Sequence, residues 1–188
     1  MTRTGTPSSW QLTPSPDQRV LLLLRHAKSD WDVGEADHER PLNRRGRADA
    51  DAVGAVLVDH GLVPDLVVCS TATRTRETWD RALTAGARAK EVRYLDEIYA
   101  AEVDALVAVV RALPQTARTA MLVGHSPGVP ELVNLLGART AGSAAWAAID
   151  HGYPTAALAV LTFPGPWAEA SPARASLVAF EVPRGARN

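Results

Sequence analysis

From Arg19 onward the chain alternates short apolar runs with segments of helical periodicity, and that alternation restricts it to folds in which helices cover a sheet. The apolar runs at 20–24, 66–69, 91–95, 120–123, 156–162 and 177–182 have the length of strands and fall short of buried helices. Between them, 43–59 carries Ala48, Ala52, Val56 and Leu57 at helical spacing and meets a stop at Gly61. Segments 73–85, 102–113 and 129–136 repeat the pattern and close at Gly86, Pro114 and Gly137. The stretch 28–41 is polar, holds no period and reads as a loop over the end of the first strand. In 138–154 a short helix over 144–149 competes with a loop, because Gly142 and Gly152 bound it closely.

With 188 residues the chain is long enough to bury most of its apolar surface in one domain and short for two. The pattern thus predicts a single α/β domain over 18–188. Residues 1–17, rich in Thr, Ser and Pro with a lone Trp10, read as a tail that does not order itself. Charge is nearly balanced, 20 Lys+Arg against 21 Asp+Glu, which excludes a general affinity for nucleic acid or an anionic membrane and makes any anion site a local one. No run approaches the roughly 20 apolar residues of a membrane helix, and the N-terminal segment lacks the apolar centre of a secretory signal. A cytoplasmic location is expected. The lone Cys69 excludes an intrachain disulfide and a multi-cysteine zinc site, and at the end of an apolar run it reads as a small buried residue. No set of His, Asp or Glu has metal-ligand spacing and no Gly-rich nucleotide loop is present, so neither metal nor cofactor is expected.

The residues able to do chemistry stand at strand ends. One apolar run ends in Arg25-His26 and another in Gly124-His125, which brings two imidazoles to the carboxyl edge of a sheet, where open α/β folds collect ligands. A guanidinium forks onto phosphate oxygens, and an imidazole titrating near neutrality is unprotonated enough to attack phosphorus. Taken singly, each histidine reads as a residue packed at a strand end. A further element, Cys69-Ser70-Thr71-Ala72-Thr73-Arg74, runs from a strand through a polar turn into a helix. Ser70, Thr71 or Thr73 can cap that helix, and Arg74 in its first turn stays near the strand end, where exposed amides and a guanidinium favour an anion. The ordinary alternative pairs Arg74 with Glu77 or Thr78 on the helix surface.

Together, Arg25-His26, Ser70-x-x-x-Arg74 and Gly124-His125, in that order after successive strands, resemble the histidine phosphatase superfamily, also called phosphoglycerate mutase-like, over 20–136. The stretch Leu24-Arg25-His26-Ala27-Lys28-Ser29-Asp30-Trp31, followed by Arg40-Pro41-Leu42-Asn43-x-x-Gly46, is most similar to the SixA-type phosphohistidine phosphatases. The resemblance implies a three-layer α/β fold with a mostly parallel central sheet flanked by helices. It implies a metal-independent phosphatase working through a phosphohistidine intermediate, with an open pocket because long covering insertions are lacking. His26 becomes the nucleophile, with Arg25, Arg74 and a protonated His125 around the phosphoryl group. A neutral, attacking His26 calls for its other ring nitrogen to donate to a backbone carbonyl. Glu97 best matches the superfamily's acid position; its ordinary role is a solvated loop carboxylate. Ser29 lies where the loop after His26 can reach phosphate, whereas a carboxylate at Asp32 would repel it, and Trp31 walls the pocket. Ala27 stands where the wider superfamily has glycine. The implied partner is a phosphorylated small molecule or a phosphohistidine-bearing protein.

Three rival readings share these residues. Gly124-His125-Ser126-Pro127-Gly128 fits the G-x-S-x-G nucleophile elbow, which makes Ser126 the attacker in a serine hydrolase. Its only downstream histidine is His151, directly beside the acid candidate Asp150, and Arg25-His26 is left unexplained. A non-catalytic module that binds phosphorylated ligands uses the same pocket without turnover. A mutase needs longer substrate-gripping insertions between Arg74 and His125 than this chain has.

Overall fold

Strand β1 (Gln18–Arg25) occupies the centre of a seven-stranded sheet ordered β3-β2-β4-β1-β6-β7-β5. The computed structural model describes Trp10, Leu12, Pro14, Ser15 and residues 17–186. The other strands are β2 (Leu66–Ser70), β3 (Glu91–Leu95), β4 (Thr119–Gly124), β5 (Gly137–Ala138), β6 (Leu158–Pro164) and β7 (Ala175–Glu181). β1 pairs in parallel with β4, β4 with β2 and β2 with β3, while β6 runs antiparallel to both β1 and β7. The sheet is therefore mixed and mostly parallel.

Helices α1 (Arg44–Asp59) and α2 (Thr73–Thr84) cover one face; α3 (Val103–Arg111), α4 (Gly128–Leu136) and α5 (Ala144–Asp150) cover the other. Both faces of the inner strands are buried, which is why those runs read as continuously apolar rather than alternating. On β1, Leu21 and Leu23 enter one core cluster and Val20, Leu22 and Leu24 the other. β4 divides in the same way, Ala120 and Leu122 against Met121 and Val123. Trp79, Trp146 and Trp167 are all buried packing residues, and Ser143 caps α5 through the Trp146 amide, so 144–150 is a helix.

Three local expectations need correction. The strand expected from Ala156 starts only at Leu158, because Ala156 adopts φ 63° and turns its amide onto the Arg25 and His26 carbonyls. The two-residue β5 is too short to carry a period. Trp10 and Leu12, inside the presumptive tail, pack on the second core cluster: the Trp10 indole stacks on His60 at 3.9 Å and donates to Glu181, which also places His60 away from open solvent. The remaining positions of that segment, 1–9, 11, 13 and 16, lie outside the described residues.

The entry to α1 fixes the loop that follows β1. Asn43 caps the helix by accepting from the Gly46 amide at 2.8 Å, while its own amide donates to the Lys28 carbonyl at 3.0 Å. A Cβ on Gly46 would stand 2.0 Å from the Lys28 carbonyl oxygen, so only glycine admits this approach. Gly46→Ala should cost on the order of 1–3 kcal/mol, read as a lowered urea midpoint. An unchanged midpoint would show that the loop carrying Lys28 can yield.

Candidate active site

Because β4 slots between β1 and β2, the residues that leave these three strands become neighbours although they are far apart in sequence. Arg25 stands in register with Gly124, and the His26 amide donates to the Gly124 carbonyl at 3.0 Å. The His26 and His125 rings lie 5.2 Å apart between centroids, tilted by 55°, and both side chains are buried. His26 Nδ1 is 2.7 Å from the Ala27 carbonyl, which only accepts; Nδ1 therefore carries the proton and Nε2 keeps a free lone pair. The Ala27 amide donates to Thr78 Oγ1 at 3.0 Å, and that hydroxyl donates to the Arg74 carbonyl at 2.6 Å, which fixes the turn after β1 on α2. The Ala27 methyl is buried in the core, so a Cβ fits there. His125 Nε2 pairs with Ser70 Oγ at 2.8 Å.

Guanidiniums surround the rings. Arg25 Nη1 donates to the Tyr153 carbonyl at 2.7 Å. Arg74 turns away from Glu77 and Thr78: its Nη1 donates to the Asp37 carbonyl and its Nη2 to Asp37 Oδ2 at 3.0 Å. Glu77 is occupied instead by the Leu42 amide. Arg40, which sequence reasoning passed over as a site residue, is buried with Nη1 on Ser29 Oγ at 3.4 Å and Nη2 on Asp37 Oδ1, and its guanidinium lies 3.5 Å from the centre of the Trp31 ring. Ser29 and Trp31 thus join the cluster through Arg40.

Burial, reinforced by the charges of Arg74, Arg25 and Arg40, lowers the His26 pKa to about 3, although the Ala27 hydrogen bond works the other way. Burial, then His26 and Arg74, lowers His125 to about 3 as well. The pocket by itself therefore holds two neutral imidazoles, and the expected protonated His125 is not met. The charge of Asp37 works the other way but does not offset burial.

Four nitrogens of this cluster, Arg25 Nε, Arg40 Nε, Arg74 Nε and His125 Nδ1, are buried without a hydrogen-bond partner. Two more such atoms, Arg19 Nε and Trp79 Nε1, lie elsewhere. An unsatisfied buried polar group costs about 1–3 kcal/mol, so a concentration of them around His26 is a chemical feature rather than an accident of packing. Donors fixed around an imidazole with a free lone pair suit an oxyanion that gains charge during reaction.

Other candidates fall outside. Glu97 lines the groove between β3 and α3 with Leu95, Val109 and Pro114, because the short 3₁₀ turn Asp96–Ile98 points it toward α3 and brings Tyr99 back to His125. Asp96 accepts from Thr71 Oγ1 at 2.6 Å. Ser126 is exposed; His151 Nδ1 is bound to the Ala147 carbonyl and Asp150 to Arg139, so no triad forms around it. Burial pushes the Cys69 thiol up to about 12, which keeps it from acting as a nucleophile.

Arg40 was within reach of sequence reading, since it opens the segment that runs to Gly46. Asp37 and Tyr99 carried no such signal, because only the path of the loop brings them to Arg74.

The model of the histidine phosphatase superfamily (branch 1) matches residues 21–162. An uncharacterized protein of Mycobacterium tuberculosis (strain H37Rv) is 36% identical over 162 residues, which cover 86% of this chain and all of that one. Among solved structures, a protein provisionally assigned as phosphohistidine phosphatase SixA from Nakamurella multipartitia is similar at TM-score 0.75 and 37% identity, covering 88% of this chain and 96% of that chain. A protein of the same provisional assignment from Agrobacterium tumefaciens gives TM-score 0.70 and 33% identity, over 88% of this chain and 99% of that one. The matched span carries β1, β2 and β4 with the strand-end residues that gather here, and the chain belongs to branch 1 of the histidine phosphatase superfamily.

Proposed function

We propose that this protein is a metal-independent phosphatase that moves the phosphoryl group of a protein phosphohistidine, or a similar phosphoramidate, onto His26 and then to water. His26 Nε2 attacks phosphorus, the bond from phosphorus to the leaving nitrogen breaks, and the departing imidazole keeps the proton on its other nitrogen. Water then attacks the phospho-His26, releasing inorganic phosphate and restoring the neutral ring. The Ala27 carbonyl supports both stages: it holds the Nδ1 proton before attack and faces the positive ring afterwards. Arg25, Arg74, Arg40 and His125 supply donors to the equatorial oxygens, the contribution phosphoryl transfer needs most.

One observation carries the choice of leaving group: among the described residues, no carboxyl group stands ready beside the pocket to give it a proton. Burial alone would raise the Asp37 pKa, but hydrogen bonds from Tyr99 and Arg40 and the charge of Arg74 hold it at about 2, so it stays ionised. Glu97 faces the α3 groove. An alkoxide leaving group needs a general acid, whereas an imidazole departs without one. The relatives assigned as phosphohistidine phosphatases support the same substrate class.

Two outcomes are expected. In imidazole NMR, both rings should stay neutral from pH 8 to 5, with the proton of His26 on Nδ1, since each folded pKa is about 3. Because these values lie below the ordinary 6.5, the unfolded chain binds more protons, and the stability contributed by both groups is complete above pH 6.5 and is lost as pH falls toward 3. Titration of His26 near 6.5 would contradict its buried tautomer. In rapid-quench experiments with a labelled N-phosphoimidazole, an acid-labile, base-stable adduct should map to His26 and survive exhaustive chelation. His26→Ala should lose at least about a thousandfold in turnover while remaining folded. A label on Ser126, or alkyl phosphates cleaved as fast as phosphoramidates, would reject this function.

A further inference from the structure

Asp37 places a carboxylate among groups arranged to receive an anion. At first sight that is a liability, because its charge repels a phosphoryl dianion. Its contacts are nonetheless built from several elements: Oδ1 takes Arg40 Nη2, and Oδ2 takes Arg74 Nη2 at 3.0 Å and the Tyr99 hydroxyl at 2.8 Å. The short helix that carries it, Asp37–Glu39, is tied to the β2–α2 turn. His38 Nε2 lies 3.0 Å from Thr71 Oγ1, and Thr73 Oγ1 donates to Glu39 at 3.2 Å. Tyr99 in turn packs edge-on against His38 at 4.7 Å and against His125 at 5.6 Å. Asp37 is held in place rather than drifting over the pocket.

The contacts occupy a particular part of each guanidinium. In Arg74 both Nη atoms go to Asp37; in Arg40 one goes to Asp37 and the other to Ser29. What is left on each is Nε, buried and without a partner. A guanidinium is planar and rigid, so fixing its outer atoms fixes the direction of the remaining N–H. We infer that Asp37 is a positioning residue, whose carboxylate holds the guanidiniums of Arg40 and Arg74 in place beside His26 for the transferring phosphoryl group. This rests on the function proposed above. The ionised state of Asp37 keeps the clamp closed at every working pH, and its negative charge allows two guanidiniums to lie close together beside His26.

The rival role is an internal competitor that withholds the arginines from substrate. The two differ in sign. Losing a competitor speeds the reaction; losing a clamp slows the chemical step while ground-state binding is unchanged or tighter, since a repulsive charge has gone. The experiment is quench-flow with N-phosphoimidazole on the wild type, Asp37→Asn and Asp37→Ala, recording the amplitude of phospho-His26, its rate of formation and KM. Amplitudes near that of the wild type are expected, with the rate lowered at least about tenfold in Asp37→Asn and further in Asp37→Ala, and KM not raised. Asp51→Asn, which breaks an α1–α2 surface pair with Arg81, serves as the control and should keep the wild-type rate. Rates equal to or above the wild type would overturn the clamp, as would an amplitude that falls in step with the rate, the mark of a merely structural role. A wild type that forms no phospho-His26 would refute the proposed function and the clamp together.

Discussion

The parallel register of β1 against β4 is the constraint on which the site depends. On the inner strands β1, β2 and β4 both faces are buried, so their side chains escape the helical layers at the strand ends, and the register sets Arg25 level with Gly124, so His26 and His125 emerge beside one another. Had β4 been added outside β2, the second imidazole would have emerged two strands from the first. The insertion is held by burial: Leu22, Leu23 and Leu24 on β1 and Met121, Leu122 and Val123 on β4 are wholly withdrawn from solvent, and each fully buried apolar side chain contributes about 1.5–3 kcal/mol. The continuously apolar runs that mark the inner strands are thus also what sets their ends side by side.

Burial then divides labour between the cations. A guanidinium does not lose its proton inside a protein, whereas an imidazole does so readily. In one buried cluster, Arg25, Arg40 and Arg74 remain charged while His26 and His125 become neutral, and the arginines themselves drive His26 further toward the neutral form. An imidazole with a free lone pair and charged donors thus arise from the same environment, as the proposed attack by His26 requires. The protonated His125 expected from sequence is therefore not what burial produces in this pocket.

What could be read in the sequence was whatever depends on residues near one another along the chain. The β1, β2 and β4 runs, the helix over 43–59, the strand-end positions of Arg25, His26 and His125, and the place of Arg74 in the first turn of α2 all follow from local pattern. What could not be read was set by the route of the loop between β1 and α1. Asp37 and Arg40 meet Arg74 because an isolated bridge between Ser29 and Leu42 folds that loop back over the strand end, and a polar segment without period gives no sign of such a return. The surroundings of Glu97 were illegible for a related reason: it lies in a single 3₁₀ turn that leads into Tyr99 beside His125, and one turn leaves no periodic trace.

A cluster of partnerless buried nitrogens is unfavourable for folding, and four of the six such atoms among the described residues gather at this one site. Around it the polar groups are satisfied: Thr78 bonds both the Ala27 amide and the Arg74 carbonyl, Ser70 holds His125, and Tyr153 gives its carbonyl to Arg25 and its hydroxyl to Leu23. These partners lie on β1, β2, α2 and the segment before β6, so shifting any donor means breaking bonds to several elements at once. Such rigidity is what lets donors stay aimed at an anion instead of relaxing onto one another.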